Sequence, residues 1–357
     1  MYAPKNGGVR ILSRGWRAAG RLVWSPDGRE VWYVAATSGG ALALRAVGLS
    51  GASERIVART PGFMLIHDVA RDGRVLAVEA NSRIALFRGG EGDKEERDHS
   101  WLDTSFVYDI TVDGKGLLFL ELSSGDGRNP AVYFRKSFDE PAVRLGSCLR
   151  PSLSPDSKWV ACIHVEGAAS KLMLLPVGAG ESRQLTNEGF RYDQVEWLPD
   201  GRGVLFTASQ DKGSVRSFVQ AADGGPARPV TPEGVELRRV SPDGKRAISI
   251  RNGSVYVHDL QTGAGRKLAV AGAPGEFAVR WCADGRSFFT AVRDGTTSFL
   301  VYRRNAESGE RTLWKKLRPP DTVGVTMSSL TVTADGRSYA YSFQRDLSDL
   351  FLITGLR

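Results

Sequence analysis

Two patterns of hydrophobic and polar residues alternate along the chain. Short segments in which apolar and polar residues alternate, such as Leu22–Trp24 and Val195–Trp197, predict strands with one exposed face. After a short polar turn comes a nearly continuous apolar run, such as Val31–Ala36, Leu117–Leu122 or Phe288–Val292, which predicts a strand covered on both faces. The sequence therefore predicts many short strands joined by tight turns.

One turn sequence separates the two kinds of strand in eight places. It reads SPDGR at Ser25–Arg29, and the aspartates of its eight copies are Asp27, Asp72, Asp113, Asp156, Asp200, Asp243, Asp284 and Asp335. Their spacings are 45, 41, 43, 44, 43, 41 and 51 residues, with an average of 44. Proline and aspartate favour a type I turn, and glycine favours the left-handed conformation that ends it. Ser157 replaces this glycine in one copy and is expected to be strained there.

A turn that returns every 40–45 residues among four short strands is typical of a β-propeller. The sequence predicts an all-β fold, a single β-propeller of eight four-stranded blades with seven as the alternative, in one domain over residues 1–357. The last repeat has two strand candidates after its turn, Ser338–Phe343 and Leu350–Thr354, and lacks a fourth strand. The N-terminal segment Gly8–Ser13 is a spare strand. Its pairing into the last blade would close the ring and remove exposed sheet edges.

Composition and charge exclude several function classes. The longest apolar runs are strand-length, far short of the about 20 residues that a membrane-spanning helix needs. The N-terminal sequence MYAPKNGGVR also lacks the apolar core of a secretory signal. The net charge is +8, but the basic residues are scattered along the sequence, so nucleic acid is not an expected partner.

The three cysteines are few and widely spaced. Cys148, Cys162 and Cys282 show no C-x-x-C spacing and are odd in number, so the sequence predicts no disulfide framework. Cysteines within apolar stretches are expected to be small buried hydrophobic residues.

The S-P-D-G-[KR] turn between an aromatic-ended strand and a buried strand resembles the repeat of TolB-like propellers. Further stretches resemble the C-terminal propeller region of multi-domain bacterial serine/threonine protein kinases: Glu96–Ser105 (ERDHSWLDTS), Ala142–Gly146 (AVRLG), Arg228–Gly234 (RPVTPEG) and Ser338–Arg357. The resemblance covers essentially all of the sequence. It implies a kinase domain, and often a membrane-spanning segment, ahead of Met1. The protein would be cytoplasmic if Met1 is the native start and extracytoplasmic if a membrane anchor precedes it.

Polar residues on the strands before the turns are candidates to line a central channel. β-Propellers usually bind ligands and partner proteins at the mouth of this channel. The candidates are Asp68, Asp109, Glu196, Arg239 and Arg280. Mixed charge in a narrow channel can hold an ion or a small polar ligand; alternatively, these residues pair with one another or with water. The expected partner is a protein or a small polar ligand at this mouth, and no cofactor is expected.

Loops that lead into these strands carry aromatic residues beside charged ones. The interface candidates are Trp16, Arg17, Trp101, Asp103, Phe190, Arg191 and Tyr192. Such residue types are common in protein interfaces, and packing between blades is the alternative.

Two further groups are weighed against simpler explanations. Cys162, His164 and Glu166 share one face of a strand, but same-face neighbours lie about 6.5–7 Å apart. Cys162 also occupies a position that other repeats fill with apolar residues, so no metal site is predicted.

The cations of the eight turns would form a ring able to attract an acidic partner, or they are ordinary solvated surface residues. They are Arg29, Arg74, Lys115, Lys158, Arg202, Lys245, Arg286 and Arg337.

The sequence carries no catalytic motif. The G-x-S-x-G, H-E-x-x-H and P-loop patterns are absent, as are the glycine-rich loop, H-R-D and D-F-G motifs of kinases. The protein is therefore expected to be a monomeric, non-enzymatic binding module. Three hypotheses remain: the sensory or scaffolding region of a kinase, a TolB-like protein–protein adaptor, and a propeller detached from a peptidase of the prolyl oligopeptidase type.

Overall fold

The computed structural model describes residues 10–16, 18–36, 42–50, 54–59, 63–126, 129–185, 189–210 and 213–356. Regular structure in these residues consists of β-strands only. Contacts divide the protein into two units, Met1–Ser82 with Asp346–Arg357, and Arg83–Arg345.

The smaller unit contains one complete four-stranded sheet and the strands that follow it. The sheet order is β1 (Ala18–Trp24), β2 (Glu30–Ala36), β3 (Ala43–Gly48) and β4 (Glu54–Arg59). Next, β5 (Phe63–Val69) pairs with residues Val75–Ala80 of β6 (Val75–Gly90). The unit also takes the residues of β29 (Ser338–Ile353) from Asp346 onwards.

The larger unit contains five four-stranded antiparallel sheets, each built from consecutive strands. The first two are β8 (Ser105–Ile110), β9 (Leu117–Asp126), β10 (Asn129–Arg135), β11 (Val143–Ser147), and β12 (Leu149–Leu153), β13 (Trp159–Glu166), β14 (Ala169–Pro176), β15 (Arg183–Gln184). The third and fourth are β16 (Phe190–Trp197), β17 (Gly203–Gln210), β18 (Arg216–Ala221), β19 (Arg228–Pro229), and β20 (Arg238–Val240), β21 (Arg246–Arg251), β22 (Ser254–Asp259), β23 (Gly265–Lys267). The fifth is β24 (Phe277–Trp281), β25 (Ser287–Asp294), β26 (Ser298–Asn305), β27 (Arg311–Leu317).

A sixth sheet of this unit combines strands from two distant parts of the sequence. β28 (Val325–Val332) pairs with the first half of β29, β29 lies beside β6, and β7 (Arg97–Asp98) pairs with Phe87 and Arg88 of β6. The first strands of the six sheets, β8, β12, β16, β20, β24 and β28, each contact the next, and β28 contacts β8. The larger unit is therefore a closed six-bladed β-propeller with these strands around its axis.

The predicted all-β propeller class is confirmed, and two details of the prediction are corrected. The ring has six blades, because the last six turns lie in the larger unit and the turns of Asp27 and Asp72 lie in the smaller one. The strand beside β29 is β6 and not the segment Gly8–Ser13; residues 10–13 form no strand, and residues 8 and 9 lie outside the described residues. The single domain over residues 1–357 stays a prediction.

The repeated turn has the predicted chemistry. In all eight copies the aspartate carboxylate accepts a hydrogen bond from the backbone N–H two residues later, at 2.8–3.2 Å. The seven glycines have φ between 61° and 86°, and Ser157 has φ of 57°. The serine therefore adopts the left-handed conformation that the repeat requires.

We expect Ser157→Gly to raise the free energy of unfolding by about 0.5–1 kcal/mol, because it removes a side chain from a left-handed position. Urea unfolding checks this. The matched control is Gly201→Ser at the equivalent position of the next turn, which is expected to lower stability by a similar amount. Equal stability of the Ser157→Gly variant and the original protein would contradict the strain.

Protonation of the turn carboxylates is expected to destabilise the protein in acid. Hydroxyl hydrogen bonds from Thr111, Ser154 and Thr333, together with backbone amides, lower the pKa of Asp113, Asp156 and Asp335 below the ordinary 3.8. Their contribution is complete above pH 3.8 and is lost as the pH falls through the lowered folded pKa values. Urea midpoints measured from pH 6 to 2.5 check this, and Asp113→Asn should show a weaker pH dependence.

The prediction that the cysteines form no disulfide is wrong. Cys148, immediately before β12, is bonded to Cys162 of the paired strand β13, with Cα atoms 6.0 Å apart. Both residues are buried in the core between two blades, and Cys282 is a buried free thiol. Strand pairing brings the two cysteines together, which a separation of 14 residues in the sequence does not reveal.

Candidate functional site

The channel of the propeller opens into a cavity of about 270 Å³ on the side of the repeated turns. Turn residues form much of its rim, among them Pro155, Pro199 and Pro242, and residues of the inner strands form its floor. Four of the five predicted channel residues line this cavity: Asp109, Glu196, Arg239 and Arg280.

The fifth predicted channel residue, Asp68, belongs to β5 of the smaller unit. Its side chain is exposed, and its carboxylate accepts a hydrogen bond from the N–H of Val69 at 2.9 Å. It does not line the cavity of the larger unit. Asp68 has the same position relative to its turn as the other four residues have relative to theirs. The turn sequence, however, does not reveal to which unit a strand belongs.

Every inner strand of the propeller is irregular where it approaches the cavity. The pairing of each with its neighbour shifts register once, as a β-bulge does. Bulges turn side chains away from regular alternation and are frequent beside functional sites. In β20 the shift falls at Arg239 itself, whose φ is +57°.

The two carboxylates that line the cavity, those of Glu196 and Asp109, accept hydrogen bonds from backbone N–H groups of the adjacent blade. Glu196 accepts hydrogen bonds from the N–H groups of Arg239 and Val240 at 2.8 and 3.0 Å. Asp109 accepts one from the N–H of Leu153 at 3.2 Å and forms an ion pair with Arg280. These carboxylates therefore hold neighbouring inner strands together. This agrees with the alternative stated above, in which the charged residues of the channel pair within the protein.

Arg239 is held rigidly by its backbone, while its guanidinium forms no direct ion pair with a described residue. Its N–H donates to Glu196, and its carbonyl accepts a hydrogen bond from the indole N–H of Trp281 at 2.6 Å. The guanidinium makes one long contact, from Nε to the carbonyl of Ala278 at 3.5 Å. Among the described residues, no carboxylate lies within 4.0 Å of it. Burial lowers the pKa of Arg239, and the nearby carboxylates of Glu196 and Asp109 offset this only in part.

A second cavity of about 140 Å³ lies on the other side of this layer of charges. Tyr108, Arg150 and Arg238 line it, together with Asp109 and Arg239, which line both cavities. Burial raises the pKa of the Tyr108 hydroxyl. Arg239 and Asp109 thus separate the turn-side cavity from the second cavity, and each of the two cavities is lined by at least two arginines.

The interface candidates of the larger unit fall into two classes. Phe190 and Tyr192 pack against Phe206 and Phe218 of their own blade. Tyr192 is buried, and the cluster includes residues of the preceding blade, as the packing alternative expects. Trp101 is 39% exposed, with the Arg135 guanidinium 5.4 Å from its ring. The remaining two candidates, Asp103 and Arg191, are exposed.

In the smaller unit, Trp16 packs inside its own sheet region. The guanidinium of Arg45 lies 4.3 Å from its ring centre, and its indole N–H donates to Ser13 at 2.8 Å. Arg17 lies outside the described residues. An interface role for this pair and for Trp101 stays a prediction.

The residues weighed as metal ligands have other partners. Cys162 is in the disulfide, His164 Nδ1 lies 2.9 Å from the carbonyl oxygen of Ser147, and Glu166 pairs with Lys171 at 2.7 Å. No group of three candidate metal ligands occurs among the residues with described positions.

The part of the protein that the structure describes has no helix with the length and apolarity that crossing a membrane requires.

The turn cations are exposed, as the simpler explanation expects. Each lies two residues after an aspartate, and pairs such as Arg74 with Asp72 at 2.8 Å place opposite charges side by side. Each exposed turn cation therefore lies close in sequence to an acidic residue of its own turn.

Sequence reasoning missed two buried clusters that support the propeller. Glu276 pairs with Arg304 and Arg311, and both Glu276 and Arg304 have fully buried side chains. Glu96 accepts hydrogen bonds from the hydroxyls of Tyr339 and Tyr341 in the closing blade. A lone acidic residue in a loop gives no signal of such a role; only the fold supplies its partners.

Comparisons with known proteins agree on the fold. Residues 141–287, less than half of the sequence, match the family described as the lipoprotein LpqB beta-propeller domain. The uncharacterised peptidase YuxL of Bacillus subtilis (strain 168) is 31% identical over 96 residues, which are 27% of this chain and 14% of that protein.

Solved structures give the same result. A structure described as TolB from Agrobacterium tumefaciens matches with a TM-score of 0.53 and 17% identity, over 74% of this chain and 99% of that one. TolB from Acinetobacter baumannii matches with a TM-score of 0.46 and 15% identity, over 92% of this chain and 66% of that one. The sequence thus spans 14% of YuxL, 66% of the Acinetobacter TolB and 99% of the Agrobacterium one, and at such identities the likeness concerns the fold. The protein has a TolB-like β-propeller fold.

Proposed function

We propose that this protein is a non-catalytic, protein-binding module that receives its partner at the turn-side cavity of the propeller. One observation carries this proposal. The cavity is open, its rim is built from exposed turn residues, and its floor presents the guanidinium of Arg239 without a counter-ion. Such a site offers binding groups, while its Thr111 and Ser154 hydroxyls donate to turn aspartates that are weak bases because their pKa values are lowered.

The proposal is tested by closing the cavity at its rim. Val112 lines the cavity and is 73% exposed, so Val112→Trp should fold normally and obstruct the mouth. The matched control is Val323→Trp at a site that is 67% exposed and does not line the cavity. Each protein is immobilised and exposed to a bacterial lysate. A partner retained by the original protein and the control, and lost by Val112→Trp, supports the proposal. Equal retention by all three proteins would contradict it.

A small polar ligand at the same mouth is the alternative occupant. A thermal-shift screen with sugars, amino acids, nucleotides and dicarboxylates distinguishes the two. Stabilisation that Val112→Trp abolishes, without any captured protein, would replace the protein partner by a small ligand.

A propeller separated from a peptidase is the second candidate, and the 96-residue match to YuxL favours it. The adjacent coding sequence decides between this candidate and the kinase context that the sequence resemblance implies. A G-x-S-x-G hydrolase domain would support the peptidase, and a domain with H-R-D and D-F-G motifs would support the kinase. The monomeric state also stays a prediction, which light scattering tests.

A further inference from the structure

The turn-side cavity is lined by two carboxylates and two guanidiniums, and these charges are not equally paired. The two carboxylates are used by backbone amides and by Arg280, while the Arg239 guanidinium has only the carbonyl of Ala278 at 3.5 Å. A buried or half-buried charge is costly unless it is paired. The arrangement therefore leaves the Arg239 guanidinium without a direct ion pair, and its remaining donors are available to a group from outside the protein.

Arg280 points to the same conclusion independently. One of its terminal nitrogens contacts Asp109, but its Nε is buried and has no hydrogen-bond partner. Arg280 and Arg239 line the same cavity, on the neighbouring inner strands β24 and β20. Two guanidiniums thus line one open space, and neither has protein partners for all of its donors.

The backbone around Arg239 is fixed before any ligand arrives. Glu196 on one side and Trp281 on the other hold its N–H and carbonyl, and its left-handed φ of +57° directs the residue out of the regular strand. A rigid donor loses less entropy on binding, and residues held in strained conformations cluster at binding sites.

We propose that Arg239 and Arg280 form a carboxylate-binding site that anchors a peptide segment of the partner. The inference rests on the proposed function and names the group recognised. Guanidinium donors match the two oxygens of a carboxylate. The walls add Pro155, Pro199 and Pro242, so apolar side chains next to the carboxylate have surfaces to contact. The carboxylate is either the C-terminal group of the partner or one of its acidic side chains.

The test uses short peptides and the full-length protein. The probes are acetyl-Ala-Phe-Leu with a free carboxylate, the same peptide as its C-terminal amide, and acetyl-Phe-Glu-Leu-amide. Isothermal titration measures each affinity at low salt. Binding of the first alone identifies a C-terminus, and binding of the third identifies an acidic side chain. Equal binding of the amide of the first peptide, or no binding by any probe, overturns the proposal.

Two variants separate recognition from support of the fold. Arg239→Met keeps an unbranched side chain, shorter than that of arginine, and removes the charge. It is expected to weaken peptide binding about ten- to a hundredfold, the usual loss for a charge-assisted hydrogen bond. It is also expected to leave the thermal midpoint unchanged or higher without peptide. Arg286→Met, an exposed turn cation outside the cavity, changes the net charge equally and should bind as before.

The results distinguish this inference from the proposed function. A partner that is lost with Val112→Trp but retained with Arg239→Met would keep the cavity as the binding site and remove the carboxylate. A lower thermal midpoint of Arg239→Met without peptide, with unchanged peptide affinity, would assign Arg239 a purely structural role and overturn the inference.

Discussion

Replacing Glu276 by alanine is expected to lower the free energy of unfolding by about 3–5 kcal/mol, the usual cost of removing one partner of a buried ion pair. Its carboxylate pairs with Arg304 at 2.9 Å and with Arg311 at 2.6 Å. Arg304 also donates to the carbonyls of Val270 and Gly309, so its charge stays buried when the carboxylate is removed. Urea unfolding of both proteins measures the loss.

Two controls define the origin of this loss. Asp294→Ala breaks an exposed ion pair with Lys316 and should cost less than about 1 kcal/mol. The double variant Glu276→Met with Arg304→Met removes both charges and should recover much of the stability. A loss below about 1 kcal/mol for Glu276→Ala would show that the pair does not carry the stability of this blade.

The same cluster sets a pH dependence. Burial alone would raise the pKa of Glu276, but hydrogen bonds from neighbours, including the Ala273 amide and Arg304, hold it below its ordinary value of 4.5. A lowered folded pKa means that the contribution is complete above pH 4.5 and is lost as the pH falls through the folded value. The Glu276→Ala variant should therefore lose less stability in acid than the original protein.

Removing the disulfide by replacing Cys148 and Cys162 with alanine is expected to lower the free energy of unfolding by about 3 kcal/mol, because the bond restricts a loop of similar length in the unfolded state. A reducing agent should shift the urea midpoint of the original protein towards that of the double variant. Cys282→Ala, which removes only the free thiol, should remain sensitive to the reducing agent.

Thiol titration provides an independent measurement of the disulfide. One free thiol per unfolded, unreduced molecule is expected, from Cys282. Three free thiols after purification under oxidising conditions, with a urea midpoint insensitive to reduction, would refute the bond. Disulfides persist in oxidising compartments, so a confirmed bond would favour the extracytoplasmic alternative for this protein.

Local sequence determined much about this protein. The aspartate shared by all eight turns, followed by glycine in seven of them, is sufficient to specify the turn, because turn geometry depends on a few adjacent residues. The turn geometry also predicted the left-handed conformation of Ser157. The alternation of polar and apolar residues likewise identified the inner strands and four residues that line the cavity.

Only the tertiary structure decided how these elements combine. Equivalent turns do not reveal whether their strands share a ring, so six blades, closure by β6, and the separate position of Asp68 come from pairings between distant residues. The pairing of Cys148 with Cys162, and the use of Glu196 by the amides of the next blade, have the same origin. A residue's chemistry is visible in the sequence, but its partners depend on contacts between segments that are far apart in it. That is why the free charge of Arg239 became apparent only in the folded protein.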